Sequence, residues 1–484
     1  MPLYLVTVAG EIPLKSPRTR PRLYAMLAEN IKRTLARKGI TVSAVRFTDA
    51  KILVEAGGDA LQALSRVFGV HRVSEVQAIE FTSLEELVRE VASRSIEHVK
   101  GKRFAVRVKR SGRHGFTSLD VAREIGAALK PFSAGVDLEN PEVEVVVEVR
   151  GSTAYLHGRI IEGPGGLPTG SGGRALVLFS GGFDSPVAAW LMAKRGLEVD
   201  FLHYMMGSSE VSRQAFAVAK KLADEWLSSY DPRFITIDFT PLIAEIEGKI
   251  EWSYRQVVLR ALMYMVAGRV AERLGYDALV TGEALGQASS QTLANLRAAE
   301  YAASPGCIVL RPLIGFDKEE IVGYSRRIGL YEYSSRVAEA CAIAPTHVAT
   351  RVSPEKLREL LGRLDAGLVD KVVEELRIVD LHTGRPEDAV PGYREEVDSI
   401  PPDSIVIDAR SYEEYRRDAL PGALHLSMVD FERLPRDKPV VLYCSTGGIS
   451  LLLARELRGK GFKAYSLKGG IAAYRARSRG GSST

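Results

Sequence analysis

The stretch ALVLFSGGFDSPVAAW, residues 175–190, constrains this chain more than any other. Val177, Leu178 and Phe179 suit a buried parallel strand, Gly181 and Gly182 let the backbone turn tightly, and the apolar residues from Ala188 onward start a helix. A strand that delivers a glycine loop into a helix aims unpaired amide donors and the positive end of the helix dipole at one spot, which then favours anions. The loop lacks the GK[ST] ending of phosphate loops that hold β- and γ-phosphates, which disfavours kinase or ATPase chemistry. Ser180, Gly181, Gly182 and Ser185 can instead cradle a pyrophosphate, and Asp184, a carboxylate beside polyphosphate, makes sense when magnesium lies between them. The plainer alternative is a glycine turn with Asp184 as a helix cap.

At 484 residues the chain exceeds what one core can organise and predicts roughly three or four domains. Its 46% hydrophobic and 26% charged residues are ordinary for a soluble globular protein. No apolar run is long enough for a bilayer and MPLYLVTVAGEI has no signal-peptide layout, so a cytoplasmic protein without a membrane partner is expected. Cys307, Cys341 and Cys444 are too few for a zinc site or a disulfide framework, which leaves reactive or buried thiols.

In chain order, residues 1–77 read as strand (3–8), helix (23–38), strands (42–47 and 51–55) and helix (61–68), a small α+β unit with a basic first half. A second α+β unit follows over 78–167. Its centre, KGKRFAVRVKRSGRH, carries seven Lys/Arg and no acid. Alternation buries Phe104, Val106 and Val108 and turns Arg103, Arg107 and Lys109 the other way, with Lys102 before the strand and Arg110 and Arg113 in the turn after it. Such a face suits a polyanion, or merely keeps an edge strand soluble. Residues 168–345 alternate strands and helices as a doubly wound parallel sheet does, with strands at 199–203, 234–238 and 277–281 and a long helix at 257–274. The loop after 281, GEALGQASSQTL, should face the same crevice as the glycine loop, beyond the carboxyl ends of the strands. DKEEI has capping-box spacing at Asp317 and Glu320, which puts Lys318 in a first helical turn where the dipole opposes it. It either points to water or neutralises phosphate. Residues 346–390 read as a charged helical segment and linker, and 391–484 as a further α/β domain, with Cys444 between the strand 440–443 and a helix at 451–459.

SGGFDS resembles the pyrophosphate loop of enzymes that cleave ATP between the α- and β-phosphates. Together with GEALGQASSQTLANLR, behind a unit similar to the THUMP domains of RNA-modifying enzymes and a ferredoxin-like domain, it resembles the tRNA 4-thiouridine synthetases, or tRNA sulfurtransferases. VVLYCSTGGIS resembles a rhodanese domain with Cys444 as persulfide carrier. The fold class implied is α/β multidomain: a doubly wound adenylation domain, two N-terminal α+β domains and a C-terminal rhodanese-like domain. By matching positions the resemblance assigns ATP contacts to Leu178, Phe179, Ser180, Gly181, Gly182, Asp184, Ser185, Arg260, Gly282 and Gln291, although Arg260 stands where lysine is expected in many relatives. Lys318 would neutralise charge on the α-phosphate, and Cys341, in SRVAEACAIAPTHV, sits where the family carries its acceptor cysteine.

The chemistry so implied is replacement of the 4-oxygen of a tRNA uridine by sulfur. ATP, with magnesium, makes that oxygen an adenylate, Cys444 delivers its terminal sulfur, and Cys341 attacks the inner sulfur to leave a disulfide that a cellular reductant resets. The resemblance makes a cysteine desulfurase the persulfide donor and allows a homodimer. Ile449 stands where many rhodaneses have arginine, which disfavours free thiosulfate as donor. Two rival readings are a sulfur donor for the thiazole of thiamine and a tRNA-binding module with a vestigial ATP site. Cys307 is read as packing.

Overall fold

A strand buried on both faces, Arg174–Leu178, leads into the glycine loop and is central to the sheet that holds it. The computed structural model describes all residues except 49–50, 207–208, 289, 338–348, 391, 446, 472 and 476–484; the side chain of Thr48 is likewise not described. Cys341 therefore lies outside the described residues.

Met1–Ser171, with Lys194–Gly196 and Ser228–Tyr230, forms one compact unit, and the remainder forms a second. The first unit is built on an eight-stranded sheet in the order Val42–Thr48, Lys51–Ala56, Leu3–Val8, Val70–Glu80, Thr153–Glu162, Val143–Arg150, Arg103–Ser111, Gly135–Val136. Val70–Glu80 runs through position 77, where the sequence suggests a break between two α+β units. It pairs antiparallel with Leu3–Val8 on one side and with Thr153–Glu162 on the other, so one sheet serves both halves. The helix expected over 61–68 is only Leu61–Leu64. Beyond it the chain tightens, the amides of Arg66 and Val67 bonding three residues back to the carbonyls of Ala63 and Leu64, and so turns Val70 into its strand.

The second unit holds two sheets. One runs Ile308–Leu310, Ala278–Val280, Arg174–Leu178, Glu198–Met205, Arg233–Asp238, Arg377–Asp380. The first five are parallel, as expected of a doubly wound sheet, and their order reverses between Arg174–Leu178 and Ala278–Val280. The loops leaving those strands thus open into one crevice. The sixth strand is antiparallel and comes from the segment read as a linker. The helices Pro354–Leu361 and Leu368–Glu374 of that segment bury Leu357, Leu360, Val369, Val372 and Val373 in the same core as the long helix Arg255–Leu274. A helix with one apolar face is stable only against a partner, and here the partner is the sheet domain itself.

The other sheet is wholly parallel, in the order Glu396–Val397, Lys463–Leu467, Pro439–Tyr443, Ile405–Asp408, Leu424–His425. Among the described residues no helix is long and apolar enough to cross a membrane.

His203, on Glu198–Met205, ties this core together. Its Nδ1 donates to the Phe179 carbonyl at 2.8 Å, which leaves Nε2 to accept from Ser212 Oγ at 3.0 Å. Burial pushes its pKa down to about 4. Because the unfolded chain takes up a proton near pH 6.5 and the folded chain does not, the contribution of His203 to stability is present above that pH and is lost as pH falls towards 4. Between about pH 7 and about pH 4.5 this group should remove about 2 kcal/mol of unfolding free energy. Urea melts of the wild type and His203→Gln at both pH values check this: the wild type should lose more on acidification, by about that amount, and equal losses would remove His203 from the account.

Candidate nucleotide and sulfur-carrier sites

At the end of Arg174–Leu178 the side chains of Leu178 and Phe179 turn into the core, Phe179 edge-on to Phe201 at 4.9 Å. Any contact they make with a nucleotide is therefore through the main chain. Ser180 is exposed, and Gly181 takes φ +84, the left-handed region that disfavours a side chain. A Cβ on Gly181 would come within 2.7 Å of the Ala215 Cα, in the helix Ser209–Trp226. The helix after the loop begins at Asp184, earlier than Ala188, since Pro186 in its first turn lacks only an amide that has no helical partner anyway. Ser185 is buried, and its Oγ accepts from the amides of Ser180 at 3.1 Å and Gly181 at 3.3 Å. It braces the loop from inside.

The second loop, after Ala278–Val280, packs onto this helix start. A Cβ on Gly282 would lie 2.8 Å from the Ser185 amide nitrogen and 2.9 Å from the Asp184 carbonyl carbon. Gln287 on the same loop donates from Nε2 to Asp184 Oδ2 at 2.9 Å. Lys318 comes from a third direction: its Nζ meets Asp184 Oδ1 at 2.8 Å and lies 5.7 Å from the centre of the Phe183 ring. It heads the helix Lys318–Arg327, whose capping box of Asp317 and Glu320 forms as the spacing predicts. Lys318 thus points at Asp184, and the helix dipole that opposes it is offset by a carboxylate.

Behind the second loop sits a buried ion cluster not readable from the sequence. Glu283 accepts from Tyr264 OH at 2.5 Å, Thr281 Oγ1 at 3.0 Å and Arg311 Nε at 2.9 Å, and pairs with Arg260 Nε at 3.1 Å. Burial and the Glu283 charge raise the Tyr264 phenol far above its usual range, so it stays a donor. Arg260 also donates to the Ser290 carbonyl at 3.0 Å and so holds the second loop. Gln291 closes that loop through its backbone, accepting from the Gly286 amide at 3.0 Å, while its side-chain Oε1 is buried without a partner among the described residues. An orphaned buried acceptor beside a glycine loop is what a donor-bearing ligand would satisfy.

Cys444 follows the strand Pro439–Tyr443 and is buried. Its Sγ accepts from the Gly447 amide at 3.1 Å and lies 3.6 Å from Ser450 Oγ. The next helix, Gly448–Gly459, starts three residues earlier than the apolar pattern suggests and brings Ile449 into its first turn. Beneath Cys444, Tyr443 OH donates to Asp408 Oδ2 at 2.8 Å, and Asp408 is locked to Arg410 Nη2 at 2.8 Å. Cys307 packs at the edge of the nucleotide-domain core, where burial pushes its thiol up.

In the first unit the strand Arg103–Ser111 buries Phe104 and Val106 and exposes Arg103, Arg107 and Lys109 as the alternation predicts, except that Ala105 on that second face is also buried. Its arginines do not stand free. Arg103 pairs with Asp137 at 3.1 Å and Glu142 at 3.6 Å, Arg107 with Glu144 at 2.9 Å, and Arg110 donates to the Gly112 carbonyl at 3.0 Å. Lys102, Lys109 and Arg113 are exposed and make no ion pair among the described residues. The acids lie on neighbouring segments, which is why the sequence of the strand alone does not reveal them.

Comparison with known proteins matches four family models along the chain. The family model for "Thiamine biosynthesis protein (ThiI)" matches residues 170–365, a THUMP domain matches 78–157, a rhodanese-like domain 393–477 and a ThiI ferredoxin-like domain 4–74. A tRNA sulfurtransferase of Desulfurococcus amylolyticus is 74% identical over 476 residues, 98% of this chain and 99% of that one. One of Pyrobaculum aerophilum is 38% identical over 471 residues, 95% of each. Among solved structures, a 4-thiouridine synthetase–RNA complex with bound ATP superposes with a TM-score of 0.66 at 28% identity, covering 78% of this chain and 100% of that one. With whole-length identities of this size, the chain belongs to the tRNA sulfurtransferase family.

Proposed function

We propose that this enzyme activates the 4-oxygen of a uridine in tRNA with ATP and replaces it with sulfur carried on Cys444, giving 4-thiouridine. The observation that carries the reading is the convergence of three segments on Asp184: the glycine loop that leads into it, the loop bearing Gln287 after Gly282, and the helix that Lys318 heads.

The residues present suit a triphosphate. Gly181 in the left-handed region turns the chain into a helix that starts at Asp184, whose N-terminus favours an anion, and the close seat of Gly282 leaves no room for a side chain. Bound ATP supplies the activation, turning the uridine oxygen into part of a leaving group as pyrophosphate departs. Ser185 holds the loop in shape without spending its own contact on phosphate, and Lys318 can pass from Asp184 to a phosphate oxygen as charge builds. Among the described residues no cluster of three or more His, Cys, Asp or Glu could hold a metal. A magnesium ion bound with ATP would be held by Asp184, the carboxylate beside the glycine loop, and by the phosphates.

Sulfur enters as a persulfide on Cys444, with a cysteine desulfurase as its proposed source. The Cys341 thiolate attacks the inner sulfur, the S–S bond to the terminal sulfur breaks, hydrosulfide attacks C4 of the uridine and AMP leaves. The resulting Cys341–Cys444 disulfide needs a two-electron reductant. The description of the matched family also supports a second role, sulfur delivery for thiamine, which would draw on the same Cys444.

Three outcomes test this reading. Asp184→Ala should cut ATP-dependent tRNA activation by about a hundredfold or more while tRNA affinity stays nearly unchanged; a parallel loss of tRNA binding would sink the separation of roles. Replacing Lys102 or Lys109 by Gln should lower the salt slope of tRNA binding by about one unit each, and Arg107→Gln by less, because Glu144 already occupies Arg107. Finally, persulfidated protein turned over once without reductant should yield a Cys341–Cys444 peptide on mapping. Product formed with both thiols still alkylatable would exclude the disulfide step, and a Cys444→Ser strain with normal 4-thiouridine but a thiamine requirement would favour the second role.

A further inference from the structure

The helix Ser209–Trp226 forms one wall of the nucleotide loop, since Ala215 abuts Gly181 and Ser212 reaches the Phe179 carbonyl through His203. Its first residue, Ser209, is fully buried, and both its polar groups are claimed from the rhodanese-like sheet. Glu396 Oε1 accepts from the Ser209 amide at 3.1 Å, and Glu396 Oε2 from its hydroxyl at 2.5 Å. A carboxylate at a helix start satisfies an amide that has no partner within the helix and also meets the positive end of the dipole.

Glu396 belongs to the short strand Glu396–Val397, where it pairs with Ser466. Ser466 Oγ lies 2.8 Å from Ser450 Oγ, and Ser450 Oγ lies 3.6 Å from Cys444 Sγ. Polar contacts therefore run from the carrier sulfur through Ser450, Ser466 and the Glu396 strand to Ser209, then along one helical turn to Ser212, His203 and the root of the nucleotide loop. The seat is fixed by a second clasp. Arg455, on the helix after Cys444, reaches Asp238 Oδ2 at 3.4 Å at the end of a nucleotide-domain strand, and Leu452 packs against that domain's core.

We propose that Glu396 is a positioning residue for the ATP loop, so that the loop is held in its binding shape only while the sulfur-carrier domain is seated. When the carrier domain lifts away, the Ser209 amide and hydroxyl lose their partner and the first turn of the helix loosens. The Ser212–His203–Phe179 connection loosens with it. ATP, binding the ordered loop, favours the seated carrier by the same factor by which the seated carrier favours ATP. Activation and sulfur delivery then belong to one conformational state. The inference rests on the reading of residues 180–185 as the ATP loop.

The test uses the full-length protein with Glu396→Ala and Glu396→Gln, ATP as the probe, and two readouts. Hydrogen exchange over residues 179–185 is measured without ATP, and ATP affinity by calorimetry. Glu396→Ala should speed exchange in that segment and weaken ATP binding about five- to tenfold, whereas Glu396→Gln, whose Oε1 still accepts from the amide and whose Nε2 can donate to the hydroxyl once it turns to accept, should stay within about twofold of wild type. The loss should appear in KM for ATP, with kcat at saturating ATP retained. Glu396→Ala that lowers thermal stability yet leaves exchange at 179–185 and ATP affinity unchanged would overturn the proposal. If the wild type itself bound no ATP the loop assignment would fall, while the exchange comparison would still decide the coupling.

Discussion

The nucleotide end of this protein depends on one close approach of backbone to backbone. Gly282 lies so near the Ser185 amide and the Asp184 carbonyl carbon that any side chain would push the two loops apart. That contact brings Gln287 within reach of Asp184, and the Glu283 cluster behind it keeps the second loop from drifting. The cluster is costly to bury, and its value is conditional: with Arg260, Arg311, Tyr264 and Thr281 all bonded, the carboxylate is satisfied, and removal of one partner would leave charge stranded in the core. Arg260 holds the second loop through this cluster and through Ser290.

Much of this could be read in the sequence, because the features concerned are local. The run before SGGFDS, the capping box at Asp317 and the alternation of Arg103–Ser111 each follow from a few consecutive residues. Contacts between distant segments left no such trace. Asp137, Glu142 and Glu144 neutralise a strand that looks purely cationic, and Glu396 meets Ser209 across 187 positions. Arg377–Asp380 is four residues with an exposed Ile378, too short for a period-two pattern, and it is a strand only because Arg233–Asp238 offers an edge. Ser185 was legible as a loop residue; the inward turn of its hydroxyl was not.

The antiparallel strand also changes how the carrier domain is attached. With 354–374 in the core and 377–380 in the sheet, the tether that remains free to move is short. Chain between Asp380 and Glu396 is further held by the His382 and Thr383 amides bonding to Asp380 and by the short helix Pro386–Ala389. The rhodanese-like domain is thus anchored close to the sheet and does not hang on a long flexible leash.

In the first unit, Lys51 lies four strands away from Val143–Arg150 in the sheet order, yet it pairs with Glu148, which also engages Arg150 at 2.6 Å. The sheet must therefore bend back on itself. Hydrogen bonds from Lys51 and Arg150, with the Lys51 charge and the His157 ring 3.7 Å away, hold the Glu148 carboxyl well below its ordinary range against the burial that would raise it. Deleting the first seventy or so residues would leave that carboxylate buried without its lysine and would uncover the edge of Val70–Glu80. The ferredoxin-like and THUMP portions are thus stitched by one continuous sheet and one buried ion pair, and neither keeps its strand edge covered or its charge balanced without the other.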